Sequence, residues 1–507
     1  MTTDILKTRP RVVIVGGGTA GLVVADRIAD DADVTIIEAG PDAGAELPGW
    51  ILDDIALPDE LFWDHVDAET GQIVLRGKVT GGCTSINAAA ALRGQPWDFD
   101  QWQVPGWTWA DMEPAFAAIE ADEDFGDRAG HGSTGALPIR RLSFSPIDDT
   151  FVAWAKGRGH AWVEDQNAPG ALGVGHWPTN MIENGRRWGA HAAFMPGVRE
   201  RVTLVADAVV RALRIEDGVC AGVVVQRDGR EELLAADHVV LAAGAVGTPA
   251  LLQRSGIGSA DLLEGLGIDL VLDRPAVGTN LQDHPWLTLQ VPGADPEAAG
   301  QRPVNGTLLR YEVEPDDRVE VHLYPHQAQP YIPDADPRDV LVGIGLMRAV
   351  SRGSIEIDAS GEPVVKLRHL TAPADRAAFA TVLADAIAYV DDMIADGVFL
   401  EPEDPWWRCD DPVEAAILRL ESYGHIVGTC RMGTDEDAVV DETLALRGVS
   451  GVSVIDASIM PVSPRANTML TSFAIGWRGG EMLRDTLTTS AAAPAAASAP
   501  TTLGENA

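Results

Sequence analysis

Residues 11–40, RVVIVGGGTAGLVVADRIADDADVTIIEAG, constrain the fold more than any other stretch of the chain. The β-branched run RVVIV predicts a strand buried on both faces, as in a parallel sheet. LVVADRIAD places apolar residues at helical spacing, and DVTIIE returns as a second buried strand. Strand, glycine turn, helix and strand make a βαβ unit with a right-handed crossover. Gly16, Gly18 and Gly21 form GxGxxG at the turn. The first glycine permits the tight turn, the second lets backbone approach a pyrophosphate, and the third allows close helix–strand packing. Free N–H groups at the helix start, around Thr19 and Ala20, favour the anion. Glu38, followed by Ala39, ends the second strand 17 residues past Gly21. Its carboxylate suits two ribose hydroxyls and repels a 2′-phosphate. The segment is therefore a dinucleotide site, and by itself it leaves open whether the dinucleotide is FAD or NAD.

At 507 residues the chain exceeds one compact core, so two domains are expected. Seventy-six acidic residues against 38 basic ones give a formal charge of −38, which excludes nucleic acid and anionic membrane as partners. The acids are dispersed and read as a solvated surface that serves solubility, with attraction of a cationic substrate as the alternative. No run of about 18 apolar residues predicts a membrane span. The opening MTTDILKTRP lacks the apolar core of a secretory signal. Cys83, Cys220, Cys409 and Cys430 lie far apart without a CxxC pair. That argues against a disulfide framework and a zinc site, and it suits the cytoplasm.

Further along, DMEPAFAAIEADEDF (111–125) predicts a helix. Residues 201–258 read as three or four strands with hairpin turns at Asp217-Gly218 and Asp228-Gly229, then a buried strand HVVLAAGA entering a helix. TLLRYEVE, RVEVHLYP, GSIEID and VVKLRHL alternate apolar and polar residues, which predicts an antiparallel sheet with one face in water. A long amphipathic helix is predicted over 372–396, and the low-complexity end of the chain as a disordered tail.

GKVTGGCTSIN (77–87), GAVGTPALLQRSGIG (244–258), VGTNLQDHP (277–285) and GHIVGTCRMG…VIDASIMPVSPRANTML resemble the signature segments of the glucose–methanol–choline oxidoreductases, in that family's order, from about residue 11 to 485. The resemblance implies an α/β fold: a Rossmann-like FAD-binding domain with a discontinuous α+β substrate domain built on an antiparallel sheet. It places FAD-binding parts at 8–145, 201–290 and 421–487, a substrate or cap segment at 146–200, the substrate-binding domain at 291–420 and the tail at 488–507. Thr80 and Cys83 depart from the usual first signature but are small enough to preserve the loop. Ile86 stands where some relatives attach the flavin through a histidine, so non-covalent FAD is implied. The FAD contacts implied are Gly77, Val79, Gly82, Ser85, Asn87 and Ala88 in the first signature, with Ala243 beside the second. Asn87 either donates to a phosphate or flavin oxygen or caps its loop. Val210 meets the adenine or is an ordinary strand valine. Asp456, with Ala457, stands by the flavin ribityl or caps a turn. Thr468 and Met469 fall by the flavin pyrimidine.

Oxidising an alcohol with a flavin needs a base for the hydroxyl proton while hydride leaves the same carbon for N5. By resemblance that base is His425, in GHIVGTCRMG, and Asn467 is the second catalytic position. An amide there holds the substrate oxygen but takes no proton. His284 reads as structural. His322 and His326, in VHLYPH, read as core, surface or pocket residues, and no carboxylate spacing near them suggests a metal. Gly424 would leave room for substrate or oxygen if it faces the flavin. The function implied is FAD-dependent oxidation of an alcohol, of the primary class by likeness to the bacterial branch that holds furfuryl and aryl alcohol oxidases and the mycofactocin-associated dehydrogenase, to the aldehyde or beyond. The acceptor is O₂ or another carrier, and a cyanohydrin lyase on the same scaffold is the alternative. Substrate identity and oligomeric state are not encoded in any motif.

Overall fold

In the computed structural model of the chain, which describes residues 9–44, 57–182, 186–295, 306–314, 318–327, 336 and 338–492, the opening β-branched run is the centre of a parallel sheet. The sheet order is Val452–Val454, His238–Leu241, Arg11–Val15, Asp33–Ile37 and Val202–Val205, every neighbouring pair parallel. Its strands come from three separate stretches of chain, so the unit is discontinuous. Helix Thr19–Ile28 covers one face, and the C-terminal helix Thr468–Ala492 crosses it closely. A Cβ at Gly476 would stand 2.9 Å from the Ala20 carbonyl oxygen, so the crossing needs glycine there. That helix passes the expected start of the tail at 488 and ends at Ala492; the rest of the expected tail lies outside the described residues.

The second unit is a six-stranded antiparallel sheet in the order Glu421–Ser422, Pro285–Pro292, Asp339–Leu346, Val319–Gln327, Thr307–Glu314, Gly173–His176. The boundary expected at 290 falls inside the strand Pro285–Pro292. Leu287, Leu289, Val321, Leu323, Val342 and Ile344 pack one face against Phe379, Val382, Leu383 and Val390 of the helix Pro373–Ala395. The opposite face corrects the expectation of a wet side. Arg310, Glu320 and His322 are fully buried, and Tyr324 and His326 nearly so. This face is covered by the unit built on the parallel sheet, and its charges pair both within the face and across the contact. Arg310 Nε donates to Glu320 at 2.7 Å, and Arg465, from the loop before the C-terminal helix, donates to Asp98 at 2.8 Å and Glu312 at 3.0 Å. Strand Asp339–Leu346 was not legible because its glycines resemble turn signals. A Cβ at Gly343 would stand 2.6 Å from the Tyr324 ring, and one at Gly345 2.8 Å from the Tyr423 ring, so both glycines make room for tyrosines.

Both Asp-Gly hairpins form, with φ of +48° and +78° at Asp217-Gly218 and +50° and +71° at Asp228-Gly229, the signs a type I′ turn requires. The four cysteines are free thiols. Among the described residues no helix is long and apolar enough to cross a membrane.

The helix expected over 111–125 occupies Trp109–Ile119, and the chain then enters a short strand, Glu120–Asp122. The strand is extended because both acids turn inward. Glu120, Asp122 and His131 form the one group of metal-ligating geometry among the described residues. It is an ion-pair network instead: Arg93 pairs with Glu120, Arg141 with Asp122 and Asp165, and His131 meets Asp165 at 2.9 Å, Glu120 at 3.0 Å and Asp122 at 3.3 Å. Burial alone would lower His131, but its three carboxylate partners outweigh that and raise it to about 10. Its stabilisation is therefore complete below the ordinary histidine value and lost as pH rises towards 10. His131→Gln should lower the urea midpoint at pH 7 by an amount equivalent to about 3 kcal/mol. The wild type should lose more stability than this variant between pH 7 and 10; equal midpoints at pH 7 would contradict the network's role.

Candidate active site

One cavity of about 560 Å³ runs between the glycine turn and the polar face of the antiparallel sheet. Two glycine loops make its floor. Gly16 takes φ +104°, and a Cβ there would meet the Ala242 carbonyl oxygen at 2.4 Å. A Cβ at Gly82 would meet Gly18 Cα at 2.9 Å, so the loops at 16–18 and 77–83 lie backbone against backbone. Gly18 caps the helix Thr19–Ile28 without a side-chain acceptor, which leaves N–H groups for an anion. Glu38 is buried, accepting from Gly17 N at 2.8 Å and Gly40 N at 2.9 Å. Burial raises its pKa, which the backbone donors partly offset.

Of the sequence-derived candidates, Gly16, Gly18, Thr19, Ala20, Glu38, Ala39, Gly77, Gly82, Asn87, Ala88, Val210, Ala243, Asp456, Ala457, Thr468 and Met469 line this cavity with His425 and Asn467. Gly21, Val79 and Ser85 do not. Gly21 packs helix on strand, its Cβ position 2.1 Å from the Gly16 carbonyl oxygen. Val79 is core, and Ser85 Oγ donates to the Thr80 carbonyl at 2.9 Å. Asn87 both caps its loop, accepting from Ala89 N at 3.1 Å, and donates to Met469 Sδ at 3.2 Å. Asp456 caps a turn as well as lining the cavity, taking Ser458 N at 2.8 Å, Gly244 N at 2.9 Å and Thr248 Oγ1 at 2.6 Å. Thr80 and Cys83 find local partners in Ala43 N and Gly77 N, so the departing loop is intact.

At the far end, strand Glu421–Ser422 releases the chain into the turn that carries His425. Gly424 lines the cavity at φ +76°, giving glycine a backbone reason beside the spatial one. Asp283 accepts from His425 N at 2.8 Å and from Ser422 Oγ at 2.5 Å. Burial would raise Asp283, but His369 and Ser422 outweigh it and hold the carboxylate at about 2. The Tyr423 ring stacks on His425 at 4.5 Å and 13°. Burial, then His284, holds His425 well below the ordinary histidine value, so it is neutral near pH 7 and able to accept a proton. Its Nε2 is 3.3 Å from Asn467 Nδ2, while Asn467 Oδ1 is buried without a partner.

Sequence reasoning missed a second histidine here. His284 Nδ1 lies 2.8 Å from His425 Nδ1, and its Nε2 lies 2.9 Å from Ser463 Oγ. His326 lines the cavity, whereas His322 lies behind it beside Glu320. Trp177, Trp286, Tyr324 and Tyr423 complete an aromatic wall, with Trp286 Nε1 donating to Tyr324 Oη at 2.9 Å and the two tyrosine hydroxyls 2.6 Å apart. The one available signal was the period-2 polar face of VEVHLYPH.

The cavity fits FAD: open helix N–H groups and glycine loops suit a pyrophosphate, Glu38 suits a ribose, and Asn467, with its amide oxygen buried and unpartnered, lines the end that holds His425. Ile86, in the lining, offers no atom for a covalent link. GMC oxidoreductase profiles match residues 11–286 and 349–476. An uncharacterized GMC-type oxidoreductase of Rhodococcus erythropolis is 33% identical over 499 residues, covering 93% of this chain and 97% of its own. The 5-(hydroxymethyl)furfural oxidase of Methylovorus sp. strain MP688 is 32% identical over 538 positions, covering 94% and 98%. The crystal structure of a pyridoxine 4-oxidase from Mesorbium loti superposes with a TM-score of 0.81 at 27% identity, covering 94% and 99%. With profiles, relatives and fold in agreement, the chain belongs to the GMC oxidoreductases, FAD-binding flavoenzymes that act on alcohols.

Proposed function

We propose that this enzyme oxidises an uncharged aromatic or furanic primary alcohol, with His425 as the base and Asn467 as the group that holds the substrate oxygen. The observation that carries the reading is the pairing of a neutral His425 Nε2 with Asn467 Nδ2, 3.3 Å apart, at the end of a cavity walled by aromatic rings. A hydroxyl seated to one side, within reach of both atoms, gives its proton to His425 Nε2 and accepts from the Asn467 amide, which stabilises the developing alkoxide. FAD, when bound, supplies the acceptor for the hydride that leaves the carbinol carbon. Burial of His425 and its neighbours keeps water away from the transfer.

The substrate class follows from the wall. Trp177, Trp286, Tyr324, His326 and Tyr423 present flat rings, which select a planar apolar body. Among the described lining residues the carboxylates are Glu38, Glu362 and Asp456, and all three stand elsewhere: Glu38 and Asp456 at the dinucleotide loops, Glu362 beside Arg211. Arg76 lines the reactive end and donates to the Gly424 carbonyl at 2.6 Å. A cation at that end meets a guanidinium without a facing acid, so choline-like alcohols are disfavoured. The likeness to a 5-(hydroxymethyl)furfural oxidase and a pyridoxine 4-oxidase supports an alcohol borne on a flat ring.

Benzyl or furfuryl alcohol should bleach the bound flavin under anaerobic conditions, and choline should not. His425→Ala should slow that bleaching about 10²- to 10⁴-fold without loss of bound FAD. Prompt recovery of colour with peroxide on admitting air assigns O₂ as acceptor; slow recovery assigns another carrier. No bleaching by any alcohol, with cyanohydrin cleavage instead, would favour the lyase. A second test concerns Glu38, whose replacement by Ala should weaken FAD binding about 10- to 100-fold in a fluorescence titration, the loss of one charged hydrogen bond to the ribose. Unchanged affinity would remove Glu38 from the FAD site.

A further inference from the structure

The contact between His284 and His425 joins two buried imidazoles through the same atom type, Nδ1 to Nδ1 at 2.8 Å, with the rings at 83°. One nitrogen must donate and the other accept. The contact continues from His284 Nε2 to Ser463 Oγ at 2.9 Å, and Ser463 N is fixed on Gln282 Oε1 at 3.0 Å. Two directions satisfy this chain. In one, His425 Nδ1–H donates to His284, whose Nε2–H donates to Ser463; His425 Nε2 then carries the lone pair. In the other, Ser463 donates to His284 and His284 to His425, which leaves the proton on His425 Nε2, where it blocks the base. Asn467 turns its Nδ2 towards His425 Nε2, and a donor there selects the first direction.

We propose that His284 is a positioning residue that accepts from His425 Nδ1 and so holds the lone pair of His425 Nε2 towards the substrate hydroxyl. The inference rests on His425 being the base. When His425 takes the hydroxyl proton at Nε2, its Nδ1–H remains on a neutral acceptor, so the imidazolium is held by a hydrogen bond without a second charge in the contact. The titratable and charged groups facing the pair are Asp283 on the same loop, His369, Arg76, and Glu320 with His322 from the sheet. Asp283 meets the backbone N–H of His425, not its ring, so His284 is the ring's own partner at Nδ1. A histidine in this role keeps the base less basic than a carboxylate partner would, in line with the low pKa of His425.

The test uses the FAD-loaded enzyme and anaerobic stopped-flow reduction by benzyl alcohol, which separates substrate affinity from the limiting rate constant. His284→Leu fills similar space without an acceptor; His284→Asn places an amide oxygen near the position of Nδ1. Bound FAD and melting temperature establish that each variant is folded. The Leu variant should lose about 10²-fold in the limiting rate constant at unchanged substrate affinity, and the Asn variant should recover most of it. Leu at the wild-type rate, or Leu and Asn equally slow, overturns the proposal; if Leu fails to fold, Asn against wild type decides, and a 10²-fold loss there overturns it. His425→Ala, run alongside, tells the two ideas apart: an unimpaired rate in that variant removes His425 itself, whatever His284 does.

Discussion

The structure depends on a polar sheet face that is dry. Arg310, Glu320 and His322 sit without solvent on the strands Thr307–Glu314 and Val319–Gln327. Charges in that position are tolerable only when paired with good geometry. Arg310 and Glu320 pair within the sheet at 2.7 Å, and the FAD-binding unit supplies the rest. Arg465 reaches Asp98 and Glu312 at once, and Arg310 donates back to the Arg465 carbonyl at 3.3 Å. The residue so fixed lies two positions before Asn467, on the loop that opens the C-terminal helix. Breaking the buried pair would leave an uncompensated charge and loosen the amide that holds the substrate. The contact that joins the two units thus also sets the reactive end of the cavity.

The same strand face changes character along its length. Glu320 belongs to the ion-pair network with His322, kept neutral by burial, beside it, while Tyr324 and His326, two and four residues beyond His322, line the cavity. Period-2 alternation puts all four on one side, and the glycines of the neighbouring strand leave the tyrosine rings their space. At the other end of the cavity, backbone does most of the binding, through glycine loops and an open helix start. The division is physical: a charged, extended dinucleotide is best held by N–H groups, and a small alcohol by rings and two directed polar atoms.

Features that depend on neighbouring residues were legible in the sequence. The βαβ unit, the paired Asp-Gly hairpins, the Pro373–Ala395 helix and the two motifs that bring His425 and Asn467 into the cavity are all local patterns. What the sequence hid depends on distant partners. Alternation in VEVHLYPH marked a polar face but could not say whether water or another unit covers it. His284 looked structural because its partner lies 141 residues away. The strand Asp339–Leu346 was hidden by glycines that serve packing, and the helix over 111–125 ended early because Glu120 and Asp122 turn inward to Arg93, His131 and Arg141.

The central claim is that a neutral His425 takes the hydroxyl proton of a ring-borne alcohol as hydride leaves the adjacent carbon. Its most direct test compares anaerobic flavin reduction by benzyl alcohol with that by the α,α-dideuterated alcohol. The account predicts complete reduction by both, several-fold slower with the deuterated alcohol. Reduction at the same rate by both would show that C–H cleavage does not limit the reaction in this cavity. Absence of reduction by benzylic and furanic alcohols alike would contradict the account outright.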